Sequence, residues 1–178
     1  MIILGVDPGT KFTGYGIVQY VNNELAYVSS GVIKPSVNLN IADKLNKIYN
    51  ELQKIITLYK PDEFSLETAF YGKNIQSTLK IGYVRGVSLL ISAHNKLDTA
   101  EYSPREIKKA VVGNGAASKE QVQFMINKLL RLEEENMKFD ESDALAVAVC
   151  HAFKRGSRQS KSSSWASYVS ANPDKIIE

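Results

Sequence analysis

Ile2-Ile3-Leu4-Gly5-Val6-Asp7-Pro8-Gly9-Thr10 is a short apolar run that ends on a carboxylate and a Pro-Gly turn, and Thr13-Gly14-Tyr15-Gly16 follows directly. An apolar run of strand length closed by turn residues reads as a strand buried on both faces. Gly14 to Tyr20 reads as a second strand, Val21-Asn22-Asn23 as a hairpin turn, and Leu25 to Ile33 as a third strand. Three strands with short links form an antiparallel meander. Beyond it, Ile41, Leu45, Ile48, Leu52, Ile55 and Ile56 recur at helical spacing until Pro61 stops them. Glu63-Phe64-Ser65-Leu66-Glu67 alternates, with Phe64 and Leu66 on one face and Ser65 and Glu67 on the other. A helix over 75–94 and a short strand over 97–101 follow.

The rest of the chain is helical. Ser103-Pro104-Arg105-Glu106 is a capping box with proline at the first helical position, and Ser118-Lys119-Glu120-Gln121 repeats the same logic after a Gly113-Asn114-Gly115 break. The segment from Asp143 to Phe153 is apolar almost all round, as befits a helix packed in the core. The order βββαβαβ followed by helices predicts an α/β architecture, a mixed sheet flanked by helices. We expect one compact domain over residues 1–155. Residues 157–170 hold seven serines with Arg158, Lys161, Trp165 and Tyr168 among them. That composition predicts a mobile basic tail over 156–178.

A chain of 178 residues with 44% hydrophobic and 23% charged residues is ordinary for a soluble globular protein. No apolar run reaches the roughly 20 residues that cross a bilayer, no signal peptide is evident, and a single cysteine, Cys150, excludes an internal disulfide. The expectation is a cytoplasmic protein without a membrane partner. The net charge of +3 is too small to name a partner by itself.

Most catalytic chemistries lack their residues here. His94 and His151 belong to no spaced ligand pattern, Cys150 sits inside the apolar helix, and there is neither a nucleophile elbow nor a phosphate-binding glycine loop. Four carboxylates occupy unusual places instead. Asp7 ends an apolar strand, where a charge is costly unless it is paired or binds a metal. Glu67 ends another strand, and Asp140 and Asp143 stand three residues apart at the start of the most apolar helix. Singly, each has a structural explanation, since Asp favours a helix's first turn and Asp-Pro-Gly turns hold their own carboxylate. Together, strand-end and helix-start acids could supply the convergent oxygen ligands that hard divalent cations need.

The ordered motifs carry a resemblance. Gly5-Val6-Asp7-Pro8-Gly9-Thr10 with Thr13-Gly14-Tyr15-Gly16 resembles the opening of the RuvC family. Glu67-Thr68-Ala69-Phe70, Lys73-Asn74, Gly82 and Arg85-Gly86 follow in that family's order, then Pro104, Lys108, 112–115 and Lys119, then Asp140-Glu141-Ser142-Asp143-Ala144-Leu145-Ala146. The match runs over about residues 3–153. Tyr83, where the family usually has a glutamine-like residue, and Glu141-Ser142 depart from its pattern without removing an acid. The resemblance implies a ribonuclease H-like fold and a homodimer. It implies Mg²⁺-dependent hydrolysis of two opposed strands at a four-way DNA junction, with two metals per site and Mn²⁺ able to substitute. The products would be 5′-phosphate and 3′-hydroxyl nicks, made in recombination and repair. It marks Asp7, Glu67, Asp140 and Asp143 as catalytic metal ligands, and the RuvA–RuvB branch-migration complex as a partner.

Arg105, Lys108 and Lys119 form a basic segment that charge alone would leave merely solvated. The resemblance places Lys108 and Lys119 near the scissile phosphate and Phe70 near the active site, where an exposed ring can stack on an unpaired base. Lys73 and Arg105 join them as candidate DNA contacts. On the helix over 75–94, Leu79, Gly82 and Gly86 share one face and form the candidate dimer patch. Other readings differ in class. An actin-like or sugar kinase needs two such domains and more than 178 residues. A silent junction-binding protein would tolerate the loss of an acid. A ribonuclease H-like enzyme acting on RNA would be separated from a resolvase by a cleavage test.

Overall fold

In the computed structural model, residues 1–68, 75–132 and 137–171 are described, with side chains described as far as Gly156. The three opening strands are β1 (Ile2–Asp7), β2 (Thr13–Val21) and β3 (Glu24–Ile33), followed by α1 (Ile41–Tyr59), β4 (Glu63–Glu67), α2 (Ile75–His94) and β5 (Asp98–Tyr102). Three further helices are α3 (Pro104–Val112), α4 (Lys119–Leu130) and α5 (Phe139–Ala171). One five-stranded sheet has the order β3-β2-β1-β4-β5, with β1–β2 and β2–β3 antiparallel and β1–β4 and β4–β5 parallel. The meander is therefore present, and the α/β architecture is the one the sequence pattern predicts. Asn22 and Asn23 turn the β2–β3 hairpin with positive φ angles of 52° and 66°. Both central residues in the left-handed region make a turn whose twist suits the flanking strands, and asparagine tolerates that region.

β1 is central because both of its faces are covered. Ile3 joins α3, α4 and α5 on one side, while Leu4 and Val6 join α1 and α2 on the other. The alternation in β4 holds as well. Phe64 and Leu66 pack in the α1–α2 layer, so by alternation Ser65 and Glu67 belong to the α5 face.

Glycine sets how closely α5 lies on this sheet. A Cβ on Gly5 would strike the Ala144 carbonyl, one on Gly14 the Asp140 carbonyl, and one on Gly16 the backbone of Leu145. The first turns of α5 thus rest on bare backbone of β1 and β2, closer than any side chain would permit. α5 also begins at Phe139, so it covers Asp140 as well as Asp143, and it continues to Ala171 rather than ending near Phe153. No proline occurs between Lys154 and Ala171 to break the i→i−4 ladder. Among the described residues no helix is long and apolar enough to cross a membrane.

Candidate active site

β1 and β4 are parallel neighbours, with Val6 paired to Leu66. Their last residues, Asp7 and Glu67, therefore stand side by side at one end of the sheet. α5 crosses over this end and brings Asp143 down beside them. A cleft of about 380 Å³ is lined by these three acids with Thr68, Lys108 and Lys119. The capping boxes of α3 and α4 fix the helices that carry the two lysines, with Lys119 the first residue of α4 and Lys108 the fifth of α3. Lys119 Nζ lies 2.6 Å from Asp143 Oδ2.

The electrostatics of this cleft are unbalanced. Burial pushes the Asp7 carboxyl up to about 6, with the Asp143 charge adding to the effect. Burial pushes Glu67 further, to about 8, and the neighbouring Asp7 and Asp143 charges reinforce it. The hydrogen bond between the two carboxyls lowers Asp7 and raises Glu67. Lys119 is raised despite its own partial burial, because it donates to Asp143 and faces Asp7 and Glu67. One ammonium cannot neutralise three crowded carboxyls.

Asp140 takes a different position from the other acids. It adds only the smallest of the contributions to the Asp7 shift, and it lines the adjoining cleft beside Thr10, Lys11 and Lys44. Among the described residues no three His, Cys, Asp or Glu side chains are gathered closely enough to hold an ion as they stand. The donor chemistry nonetheless fits a hard divalent cation, since buried carboxyls that repel one another gain most from added positive charge. Arg105 does not line the acid cleft, and its side chain lies against Gly115. Phe70 and Lys73 lie outside the described residues.

The histidine and cysteine expectations can be read directly. His151 is buried, with Nδ1 2.7 Å from the Tyr102 hydroxyl and Nε2 against Glu63, a structural arrangement. Cys150 is buried and its thiol is pushed up to about 12 by desolvation. Such a thiol is inert. Sequence reasoning missed the Glu63–His151–Arg155 cluster, whose members are 88 and 92 residues apart from Glu63 and share no local pattern.

Comparison with known proteins agrees with this geometry. The family model described as "Crossover junction endodeoxyribonuclease RuvC" matches residues 3–151. A protein of that name from Chloroherpeton thalassium is 44% identical over 186 aligned positions that cover all of both chains. Another, from Salinibacter ruber, is 41% identical over 179 positions with the same full coverage. Among solved structures, Thermus thermophilus RuvC in complex with a Holliday junction substrate superposes with a TM-score of 0.81 at 26% identity, covering 87% of this chain and 94% of that one. The ribonuclease H-like architecture of the sheet and helices is thus shared with known resolvases. With carboxylates at the ends of β1 and β4 and at the start of α5, and with full-length relatives at this identity, the chain belongs to the RuvC family of crossover junction endodeoxyribonucleases.

Proposed function

We propose that this cleft is the catalytic centre of a structure-selective DNA endonuclease that resolves Holliday junctions, cutting two opposed strands and leaving 5′-phosphate and 3′-hydroxyl ends for recombination and repair. The observation that carries the reading is the convergence of Asp7, Glu67 and Asp143 with Lys108 and Lys119 in one cleft. Asp7, Glu67 and Asp143 are the metal ligands, and Asp140 completes the set from the adjoining cleft. The metal is Mg²⁺, two ions per site, with Mn²⁺ an acceptable substitute. Bound there, such ions supply hydroxide at neutral pH and stabilise the leaving oxygen.

The chain's own side chains position the substrate. Lys108 and Lys119 hold phosphate oxygens, which fixes the strand without reading bases. Lys119 leaves its ion pair with Asp143 when a phosphate and cations share the charge. Arg105, Lys73 and Phe70 extend the DNA contacts, Phe70 by stacking.

Two opposed cuts need two sites, and the exposed face of α2 supplies the dimer surface. Ile75, Leu79, Tyr83 and Leu90 are exposed on it at 75%, 53%, 48% and 51%, and Gly82 and Gly86 open onto empty space. Small residues in an exposed apolar stripe let a second copy approach closely. The nuclease domain spans 1–155, and a basic, serine-rich segment extends from it, helical as far as Ala171. The protein acts in the cytoplasm with the RuvA–RuvB complex. A mobile synthetic four-way junction incubated with and without Mg²⁺ tests the reading. Paired symmetric nicks only with the metal are expected, and metal-independent binding without nicks would overturn it.

A further inference from the structure

A second cleft of about 620 Å³ lies beside the acids and includes Thr10, Lys11, Phe12, Lys44, Lys80 and Asp140 in its lining. It adjoins the acid cleft, since Ile81 lines both and Pro8 and Gly9 are consecutive residues of their respective walls. The lysines come from three separate parts of the chain: the β1–β2 turn, α1 and α2. Among the described residues none of Lys11, Lys44 and Lys80 has a carboxylate ion-pair partner. Lys44 donates instead to the Val37 carbonyl at 3.1 Å. A fourth lysine, Lys34, sits 5.4 Å from the centre of the Phe12 ring.

The turn that presents this wall is held firmly. Thr13, fully buried, donates to the Gly9 carbonyl at 2.7 Å. A Cβ on Gly9 would collide with the Phe12 carbonyl, so only glycine closes the loop this tightly. Phe12 is left 40% exposed at the rim. Cations that repel one another around a cleft, with Asp140 the one carboxylate among its described lining residues, are poised for an extended polyanion. Lys44 and Lys80 stand on α1 and α2, which pack on one face of the sheet, whereas Lys108 and Lys119 stand on α3 and α4, which pack on the other.

From this we infer that the cleft is a second backbone subsite, gripping the strand being cut on the opposite flank of the scissile phosphate from Lys108 and Lys119. The inference rests on the nuclease reading of the acid cleft. One strand then crosses three zones in order: the Lys108–Lys119 pair, the carboxylates, and the Lys11–Lys44–Lys80 wall. Cations on both flanks hold the intervening phosphodiester over the acids, which themselves repel it. Phe12 offers its face to the sugar or base that follows.

The test uses the full-length Lys11→Ala/Lys80→Ala protein, since both side chains are exposed and, among the described residues, neither is in an ion pair. Lys47→Ala/Lys54→Ala is the control, with the same change in net charge on helix surface outside the cleft, at lysines that pair with Glu51. For junction binding, the log–log salt slope should fall by about two units in the Lys11/Lys80 variant and by much less in the control. Methylphosphonates placed singly along the cleaved strand should weaken wild-type binding on both sides of the cut. In the Lys11/Lys80 variant one flank should lose its sensitivity while the other keeps it. Equal slopes for the two variants, or sensitivity retained on both flanks, would overturn the subsite while leaving the nuclease reading intact. A wild-type protein that nicks no junction with Mg²⁺ would overturn the reading beneath it as well.

Discussion

β4 carries a glutamate at each end, and the two have opposite fates. Glu63 is almost wholly buried at the start of the strand, where Arg155 donates to both of its oxygens and His151 contacts it from the other side. Burial alone would raise its carboxyl, but the Arg155 and His151 interactions outweigh it and hold Glu63 below its usual range. Glu67, four residues on and on the same face, has carboxyls for neighbours and is raised to about 8. The strand and its face are shared, and what differs most is who stands opposite. A buried charge that is satisfied holds structure together, and one left unsatisfied in an open cleft is held ready for something else.

The comparison predicts that removing the two glutamates does opposite things. Glu67→Gln should abolish junction cleavage with Mg²⁺ while leaving junction binding intact, because affinity comes mainly from lysine and arginine. It should also raise the melting temperature of the metal-free protein, because a neutral amide escapes the cost that burial and the neighbouring carboxyls impose on ionising Glu67, a trade of stability against activity. Near wild-type cutting by this variant would remove Glu67 from the site. Glu63→Gln should instead cost about 2–3 kcal/mol of stability, less than the ~3–5 of a fully buried pair because the Arg155 side chain is 44% exposed. Cleavage per folded molecule should hardly change. A denaturant titration showing no loss would mean that the cluster carries little.

Their pH dependences should also run in opposite directions. Glu67 has a folded value raised from 4.5 to about 8. The stability of the metal-free protein is therefore greatest below pH 4.5 on its account and is lost as pH rises through about 8. Glu63 is lowered, so its contribution is present above the unfolded value and is lost as pH falls. Thermal melts between pH 4.5 and 8 should flatten in Glu67→Gln and keep their slope in Glu63→Gln. The reverse pattern would exchange the roles given to the two residues.

Smaller effects sharpen the picture at the cleft's rim. Lys108→Ala should lower the salt slope of junction binding by about one unit and slow cleavage. Lys119→Ala should do the same and, through loss of its bond to Asp143, alter the Mg²⁺ concentration needed for half-maximal rate. Filter binding across a salt series, with the rates measured alongside, separates the two lysines. Identical behaviour would leave the Asp143 contact without consequence.

Much of the site was legible because its signals are local. Asp7 and Glu67 each end an apolar or alternating run, and the two capping boxes place Lys108 and Lys119 on predictable helices. The meander, the β4 alternation and the helix over 75–94 follow from periodicity in the same way. What local pattern could not show is pairing at a distance. Nothing near Glu63 announces His151 or Arg155, and Lys11, Lys44 and Lys80 meet only because the β1–β2 turn, α1 and α2 converge. Asp140 and Asp143 are neighbours on one helix yet line different clefts, since three residues turn a helix through about 300° and leave the side chains roughly 60° apart. The length of α5 was also hidden, as an apolar run marks where a helix is buried and says little about how far it continues into water.

The glycine seats beneath α5 have a consequence for the timing of activity. The third acid of the cleft rides on the last helix, 136 residues after the first, and reaches its partners only when Ala144 and Leu145 settle onto the bare backbone of Gly5 and Gly16. A chain still leaving the ribosome, or one whose final helix has come away, possesses two of those three carboxyls and no complete site. The candidate site is therefore assembled last, in the order in which the chain is made.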